Sequence, residues 1–506
     1  MVRGQEWSCQ KDGFVVVAIV RHQNSCKVVE EDDEEILGAL DTELSFKLLG
    51  AEFSKAYKGY TNDLGEFVTW DGKRHLLSSS GKFPVGLLPR VMDFYAAKGI
   101  HPLIIDERPP IEKSTPTDIA DNLRNIGKEA RHYQEYAANK AVETDRGIIR
   151  LATGGGKTLI AALITAKLGK PTIVYVIGKD LLYQLQDFFS HIFSEPIGII
   201  GDGKCEIRNI NIATVWSVGQ ALGLKGKVTI DDESETEKKI DPDKFRKIKE
   251  MLLNSSVHIM DECHLAACDT VQIIARNIRA EYVYGMSASP WRDDGADLLI
   301  EAFLGRKIVD VSARELIKQG YLVPPNIRFL APKPYQFMSG KYPKIYTKYV
   351  VENEQRNSMV LRATTSMVEQ GFVPLVLFHT IKHGDVLFDK LKNLVPTGLL
   401  SGKDSAKQRE KIKDELECGK IKCLVASKIF DIGVDLPILS GLVIAGAGKS
   451  SVRALQRIGR VIRPYTGKNM SAIIDFADQA PYLIQHAEIR REIYESEFDV
   501  TWPKEK

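Results

Sequence analysis

The residues best equipped for chemistry begin at Ala152-Thr153-Gly154-Gly155-Gly156-Lys157-Thr158. An apolar run, GIIRLA, leads into this stretch and a helical pattern, TLIAALITAKL, leads out of it. Strand, glycine-rich turn and helix N-terminus in that order make a phosphate cradle. Gly154, Gly155 and Gly156 leave room for backbone N–H groups to close around an anion, and the helix dipole adds positive potential. Lys157 can bridge the β and γ phosphates, and Thr158 can hold Mg2+. A glycine turn alone needs no Lys-Thr pair, so a nucleoside triphosphate is the expected ligand. The strict GxxxxGK[ST] pattern asks for Gly at position 151, where this chain has Leu151.

A second group, Asp261-Glu262-Cys263-His264, directly follows the apolar run SVHIM. Asp261 at such a strand end can hold Mg2+ through its water shell, and Glu262 can orient or deprotonate the attacking water. Alone, an Asp-Glu pair after a strand is as readily a solvated turn; downstream of a phosphate cradle it completes a hydrolytic site. Cys263, His264 and Cys268 come near a zinc set, but no second cluster completes the tetrahedron. Farther on, Arg457, Arg460 and Arg463 recur at every third position in QRIGRVIR, which places them along one face of an expected helix. That face is either a solvated basic surface or a source of fingers for transition-state charge, an effect worth ~1,000- to 100,000-fold in rate. Arg460 and Arg463 are the expected fingers. The whole stretch Gly441 to Met470, with Lys449, Arg453 and Lys468 besides, contains no acidic residue, a local basic stripe suited to phosphates.

Elements able to position these groups follow from the alternation of short β-branched runs with helical patterns. GIIRLA, PTIVYVIG, NINIAT, SVHIMDE and YVYGMSAS make one α/β lobe; after a Pro-punctuated stretch, VPLVLFHT, PTGLLSG, KCLVAS, GLVIAG and SAIIDFA make another. Asp404 to Glu417, with Gly419 just beyond, reads as a capped crossover helix. The charged segment Lys225 to Glu250 reads as a solvated loop plus surface helix. The first part of the chain lacks the βαβ rhythm, carries an acidic run from Glu30 to Glu35 and ends near Pro109, Pro110 and Pro116. The expected fold is α/β: two tandem parallel-sheet lobes after a small α+β accessory domain. The expected boundaries are 1–115 accessory, 116–308 first lobe, 309–330 linker and 331–506 second lobe.

At roughly 100 to 200 residues per domain, 506 residues exclude a single small module. Hydrophobic residues at 44% and charged residues at 27% are ordinary globular values and exclude wholesale disorder. Lys and Arg number 69 against 67 Asp and Glu, a net charge of +2, so nucleic acid would be bound through localised patches rather than a basic whole. Seven cysteines without CxxC pairing point to a reducing, cytoplasmic compartment. The polar N-terminus and the lack of a stretch of ~18 apolar residues speak against secretion and membrane insertion.

The motifs together resemble the superfamily 2 helicases and translocases, over most of Arg131 to Ala477. The helicase-type phosphate loop has the form AxxGxGKT, which matches Gly154, Gly156, Lys157 and Thr158 and asks for Ala where this chain has Leu151. Arg131-His132-Tyr133-Gln134 is similar to the family's Q motif, which implies that Gln134, with Arg131, reads adenine. Ser287-Ala288-Ser289-Pro290 resembles motif III, coupling the ATP site to the nucleic-acid path, with Ser289 in place of the commoner Thr. Leu377 to Thr380 falls where motif IV would, Ser427 to Asp435 looks like motif V through Gly433 and Asp435, and Gln456 to Arg463 resembles motif VI, adding Gln456 and Arg457 to the nucleotide contacts. Within the superfamily the resemblance is strongest to the UvsW-like phage recombination helicases, with XPB- and RecG-like motors further off. Trp70-Asp71-Gly72-Lys73-Arg74 and Phe83 to Leu87 are similar to the small domain that precedes the motor there. Trp70, Lys73 and Arg74 are then either DNA contacts or parts of an ordinary turn at Asp71-Gly72.

The resemblance implies two RecA-like lobes that close on ATP and Mg2+, with Glu262 positioning water and Arg460 and Arg463 completing the site. It also implies single-stranded and branched DNA as substrates (forks, D-loops, four-way junctions) in recombination, repair or replication, in the cytoplasm, the host's if the gene is a phage's. Two alternatives stay open: an RNA helicase, or a nucleic-acid-binding scaffold switched by ATP and acting with a partner. No nuclease constellation stands outside the motor motifs.

Overall fold

The β-branched runs become strands of two large sheets. In the computed structural model the described residues are 17–503 apart from 30, 32, 62–66, 111–113, 225–241, 291–295, 334–339, 402–403, 428–435 and 447–450. The first sheet has the strand order Lys204–Glu206, Ile197–Gly201, Ile210–Thr214, Thr172–Val176, Val257–Asp261, Tyr282–Ser287, Arg146–Leu151, Lys307–Val311. The central pairs are parallel, and Lys204–Glu206 is antiparallel to its neighbour. Every residue of TIVYV, IGIIG and INIAT is buried, as a parallel sheet flanked by crossover helices requires. The register sets Asp261 opposite Met286 at adjacent strand ends, the edge at which open α/β sheets build their sites.

The second sheet has the order Thr397–Leu400, Cys423–Ala426, Pro374–Leu377, Gly441–Ile444, Ser471–Phe476, Pro325–Leu330, Val500–Thr501, with parallel pairing throughout. These are the two RecA-like lobes. Its core encloses charge. Asp475 is fully buried and accepts from Arg490 Nε at 2.8 Å, Arg490 Nη2 at 2.9 Å and Tyr494 Oη at 2.9 Å. Arg356, also buried, pairs with Asp478 at 2.7 Å and donates to Ala445 O at 2.7 Å. The expected crossover helix runs Ala406–Glu417, capped by Ser405 and followed by Gly419 at φ 74°.

By contact the chain forms two compact units, residues 1–149 with 158–309, and residues 150–157 with 310–506. The segment expected as a separate accessory domain has its own sheet, ordered Lys82–Pro84, Ser25–Val29, Ala18–Arg21, Leu103–Asp106, and its own helices, Glu34–Glu43 and Leu88–Ala97. It nevertheless belongs to the first unit. Ala302, from the helix Asp297–Leu304, sits in the same apolar cluster as Ile19, Phe83 and Leu87. A Cβ at Gly86 would fall 2.2 Å from Glu301 O, so only glycine permits this approach. Ion pairs Arg90–Glu301 at 2.7 Å and Arg108–Asp145 at 2.6 Å fasten the edges, together with Arg21–Asp145.

The segment 309–330, expected as a linker, is built rather than loose. It holds the end of the strand Lys307–Val311, the helix Ala313–Lys318 and most of the strand Pro325–Leu330. The reason is a Ser-x-x-Glu capping box, Ser312 with Glu315. Of the charged insertion, residues 225–241 lie outside the described residues, and Pro242–Asn254 is helical. Among the described residues no helix is long and apolar enough to cross a membrane.

Candidate nucleotide-hydrolysis site

The phosphate loop follows from its glycines. Gly154 and Gly156 have φ of 87° and 88°, left-handed backbone that side chains resist, and Gly155 N donates to Ala152 O at 3.0 Å. Leu151, where the strict pattern has glycine, is fully buried, and a Cβ at Gly155 would meet its Cγ at 2.8 Å. The leucine is therefore the floor of the loop, and the glycine it needs has moved to position 155. Lys157 starts the helix Lys157–Leu168, which is buried along nearly its whole length. The buried hydroxyl of Thr153 has no hydrogen-bond partner. A turn with left-handed glycines, an unsatisfied hydroxyl and a lysine at a helix start fits a polyphosphate.

Arginines share the second unit with this loop. Gln456, Arg457 and Arg460 lie on the helix Ser451–Val461, whose Ile458 and Val461 are fully buried. A Cβ at Gly459 would fall 2.2 Å from Thr153 Cβ, and one at Gly154 would fall 3.4 Å from Arg463 Cγ. Glycines on both partners thus let the helix and the loop touch. Arg463 lies past the helix end, which corrects the expected single helical face. Pro464 follows it, and the residue before proline is disfavoured in helical backbone. Lys468 of the basic stripe donates to Pro437 O at 3.1 Å and Leu439 O at 2.6 Å; burial, then Arg463, lowers its ammonium to about 8. It is a strut of the fold more than a phosphate ligand.

In the first unit, Asp261 ends the strand Val257–Asp261 and Glu262 turns the chain at φ 51° into the short helical turn Cys263–Ala267. A left-handed backbone at a non-glycine residue costs about 1 kcal/mol or more and gathers at functional positions. Glu262 N donates to Asp261 Oδ1 at 3.0 Å. Ser287 Oγ donates to Glu262 Oε2 at 3.2 Å and accepts from Ser289 N at 3.2 Å, and His264 Nδ1 stands 3.5 Å from Glu262 Oε2. The Asp-Glu box and the Ser-Ala-Ser segment, apart in sequence, are thus one hydrogen-bonded group. Cys263 is fully buried, and a Cβ at Gly285 would come within 2.7 Å of Cys263 Cβ and 2.3 Å of Leu304 Cδ1. Its thiol is core packing. Cys268 precedes the helix Asp269–Asn277 as its N-cap.

Gln134 is buried, and its Oε1 accepts from Arg131 N at 2.9 Å, closing a capping box on the helix His132–Glu143. Thr158 lies in the first turn of the phosphate-loop helix. Gly433 and Asp435 lie outside the described residues. Trp70 is half-buried and its indole N–H donates to Lys73 O at 2.7 Å, while Lys73 N donates to Asp71 Oδ1 at 2.9 Å around Gly72 at φ 79°. Sequence reasoning missed the Ser287–Glu262 bond, because spacing shows no pairing across a sheet. It also missed Glu301, the anchor of Arg90, which in sequence is one acid among 67 Asp and Glu.

Two family models match the chain: "Type III restriction enzyme, res subunit" over residues 127–292, and "Helicase conserved C-terminal domain" over residues 351–465. The chain is similar to the ATP-dependent DNA helicase uvsW of Enterobacteria phage T4, at 25% identity over 87% of this chain and 88% of that one. It is also similar to the DNA 3'-5' translocase XPB2 of Sulfurisphaera tokodaii, at 24% identity over 66% of this chain and 79% of that one. Among solved structures, S. cerevisiae Dbp5 bound to RNA and ADP BeF3 shares the fold at 14% identity and a TM-score of 0.53, over 76% of this chain and 92% of that one.

Proposed function

This chain is a superfamily 2 helicase, and on that premise we propose that it is an ATP-driven DNA motor that unwinds or branch-migrates branched DNA in recombination, repair or replication. The observation that carries the reading is the hydrogen bond of Ser287 to Glu262: the carboxylate suited to activate water is tied to the segment that resembles the family's coupling motif. The likeness to phage and archaeal DNA motors supports DNA as the polymer.

In this reading Gln134 and Arg131 orient the adenine of ATP, and the backbone N–H groups of Gly154, Gly155 and Gly156 bind phosphate oxygens. Lys157 neutralises the β and γ phosphates. Thr158 and Asp261 would hold Mg2+, which when bound supplies charge neutralisation at the γ phosphate. Glu262 orients the attacking water and takes its proton on the carboxylate. Arg460 and Arg463 meet the charge that develops on the transferred phosphoryl group, while Gln456, Arg457, Gly433 and Asp435 add nucleotide contacts. Ser287 and Ser289 carry the change in Glu262 towards the strand path. The motor works in the cytoplasm, the host's where the gene is a phage's. The organisation is an accessory domain over 1–115, lobes over 116–308 and 331–506, and a connecting segment over 309–330.

Steady-state ATP hydrolysis without polymer, with single-stranded DNA, with a synthetic four-way DNA junction and with RNA tests the reading, with Lys157→Ala as background. Stimulation by DNA, greatest with the junction, is expected. Stimulation by RNA alone would move the chain to the RNA helicases, and none by any polymer would leave an ATP-switched scaffold. Hydrolysis retained by Lys157→Ala would remove the phosphate-loop assignment.

A further inference from the structure

The helix Asp297–Leu304 carries two apolar stripes, and they face different partners. Leu298 and Ala302, four positions apart, pack into the cluster of the accessory sheet with Ile19, Phe83 and Leu87. Ile300, Phe303 and Leu304 pack instead into the core cluster that holds Cys263 and Ala266. Residues three and four apart share a helix face. One side of this helix therefore belongs to the accessory sheet, and the other to the helical turn Cys263–Ala267 that directly follows Glu262. A surface helix ordinarily buries a single stripe; burying two makes this one a link.

On one side the link ends beside Glu262. Gly285 has no side chain, and Leu304 and Cys263 share the space above it: a Cβ there would fall 2.3 Å from Leu304 Cδ1 and 2.7 Å from Cys263 Cβ. Gly285 and Ser287 are two apart on the strand Tyr282–Ser287, hence on one face of the sheet, and Ser287 is the donor to Glu262. The strand thus seats Cys263 at one position and its chain neighbour Glu262 at the next on the same face. Gln272 adds a polar tie, its Nε2 donating to Ala266 O at 2.5 Å and standing 3.4 Å from Leu299 O. A close-packed interior transmits a shift rather than absorbing it, so a displaced Leu304 moves Cys263, and Glu262 with it.

On the other side the contact is partly backbone and partly charge. A Cβ at Gly86 would fall 2.2 Å from Glu301 O and 2.6 Å from Ala302 O, and Glu301 O accepts from Gly305 N at 2.7 Å where the helix ends. The buried Glu301 carboxylate accepts from Arg90 Nε at 3.2 Å and Nη2 at 2.7 Å, and Arg90 Nη1 donates to Glu43 at 2.8 Å. Docking of the accessory sheet does not hang on this pair alone. Arg108 and Arg21 both hold Asp145, and Gln23 Nε2 donates to Arg279 O at 3.1 Å. A desolvated ion pair gives little net stability, because the loss of water offsets the attraction. What two bonds from one planar guanidinium do supply is orientation, and here they orient the helix.

We propose that the accessory sheet is a positioning element of the hydrolysis site: Arg90, through Glu301 and the helix Asp297–Leu304, sets where Cys263 lies and thereby where Glu262 holds the attacking water. Arg90 and Glu301 are positioning residues, and both lie outside the residues 127–292 matched by the first family model. The proposal rests on the reading of Glu262 as the group that orients water, and it carries that site's support beyond the motor motifs.

The test is steady-state ATP hydrolysis by the full chain, without polymer and with single-stranded DNA, expressed per folded molecule as judged by circular dichroism. A misplacement of ~1 Å costs up to about a hundredfold in rate, so Arg90→Ala and Glu301→Gln are each expected to lower kcat about five- to tenfold. The KM for ATP should hold, because the phosphate loop is untouched. The double variant should be no slower than the worse single one, since both break one bond pair. Arg90→Lys, which keeps the charge but donates from a single nitrogen, should fall between wild type and Arg90→Ala. Arg108→Ala, which breaks a docking pair that does not touch the helix, should stay near wild type. Unchanged kcat per folded molecule in Arg90→Ala overturns the positioning role and leaves the pair as packing. An equal loss in Arg108→Ala, or a raised KM with kcat held, overturns it too. Wild-type hydrolysis in Glu262→Gln would instead remove the reading of Glu262 itself.

Discussion

Asp475 in the second unit and Glu262 in the first are both carboxylates at strand ends, and the structure holds them in opposite ways. Asp475 is fully buried against Arg490, a guanidinium that stays charged, with Tyr494 Oη and Phe476 N as further donors. Glu262 sits on strained left-handed backbone and faces a serine hydroxyl and an imidazole. Both oxygens of Asp475 accept from donors fixed in the core, whereas Glu262 accepts from a hydroxyl that can rotate. The first arrangement holds a sheet together, and the second suits a group that must receive a proton from water and then lose it.

That contrast can be broken at either end. Glu262→Gln keeps the shape and removes the base, and kcat for ATP should fall about 100- to 10,000-fold with the denaturation midpoint unmoved. Arg490→Met should do the reverse: it strands Asp475 in the core, a loss of roughly 3–5 kcal/mol, read by chemical denaturation, with hydrolysis at permissive temperature little changed per folded molecule. If Glu262→Gln destabilises as much as Arg490→Met, the two carboxylates do not differ in kind.

Acid sharpens the comparison without mutation. His258 is fully buried between Tyr175 Oη at 2.7 Å and Ser255 O at 3.2 Å, and burial pushes its pKa from 6.5 down to about 4. His383 in the second unit, 3.0 Å from Asn357 Oδ1, is pushed by burial, then by Arg356, from 6.5 to about 3. Both are depressed, so between these values and 6.5 the unfolded chain binds protons that the folded chain refuses. Stability is fully present above pH 6.5 and lost as pH falls towards 4, by about 3 kcal/mol for His258. A midpoint that does not fall between pH 7 and pH 5 would contradict neutral burial.

Much of this was legible in the chain, for reasons that differ by region. The phosphate loop could be read because its backbone needs glycine at fixed places, and the parallel sheets because burial on both faces leaves continuous runs such as TIVYV and INIAT. Leu151 showed as a departure from pattern, but its role under Gly155 needed coordinates. Arg463 was read onto the helix because spacing outweighed Pro464. The pair of Asp475 and Arg490 had no signature at all, since a residue whose partner lies in another element is fixed by packing. The exposure of Phe53 and Phe67 had no signature either, because composition cannot distinguish a phenylalanine that is buried from one left in water.

The smallest expected effect lies at Ser287, beside Glu262 in the first unit. Ser287→Ala removes the donor to Glu262 and the acceptor of Ser289 N, a net of ~1 kcal/mol, or about fivefold in rate. If that bond only orients a carboxylate, basal and DNA-stimulated kcat should fall together and the KM for ATP should stay where Lys157 sets it. If it carries the signal from the polymer, the basal rate should hold and the stimulation should shrink. The ratio of stimulated to basal kcat in Ser287→Ala therefore decides whether the hydroxyl supports the chemistry or reports the strand, and Ser287→Thr, which restores the hydroxyl, should return whichever of the two was lost.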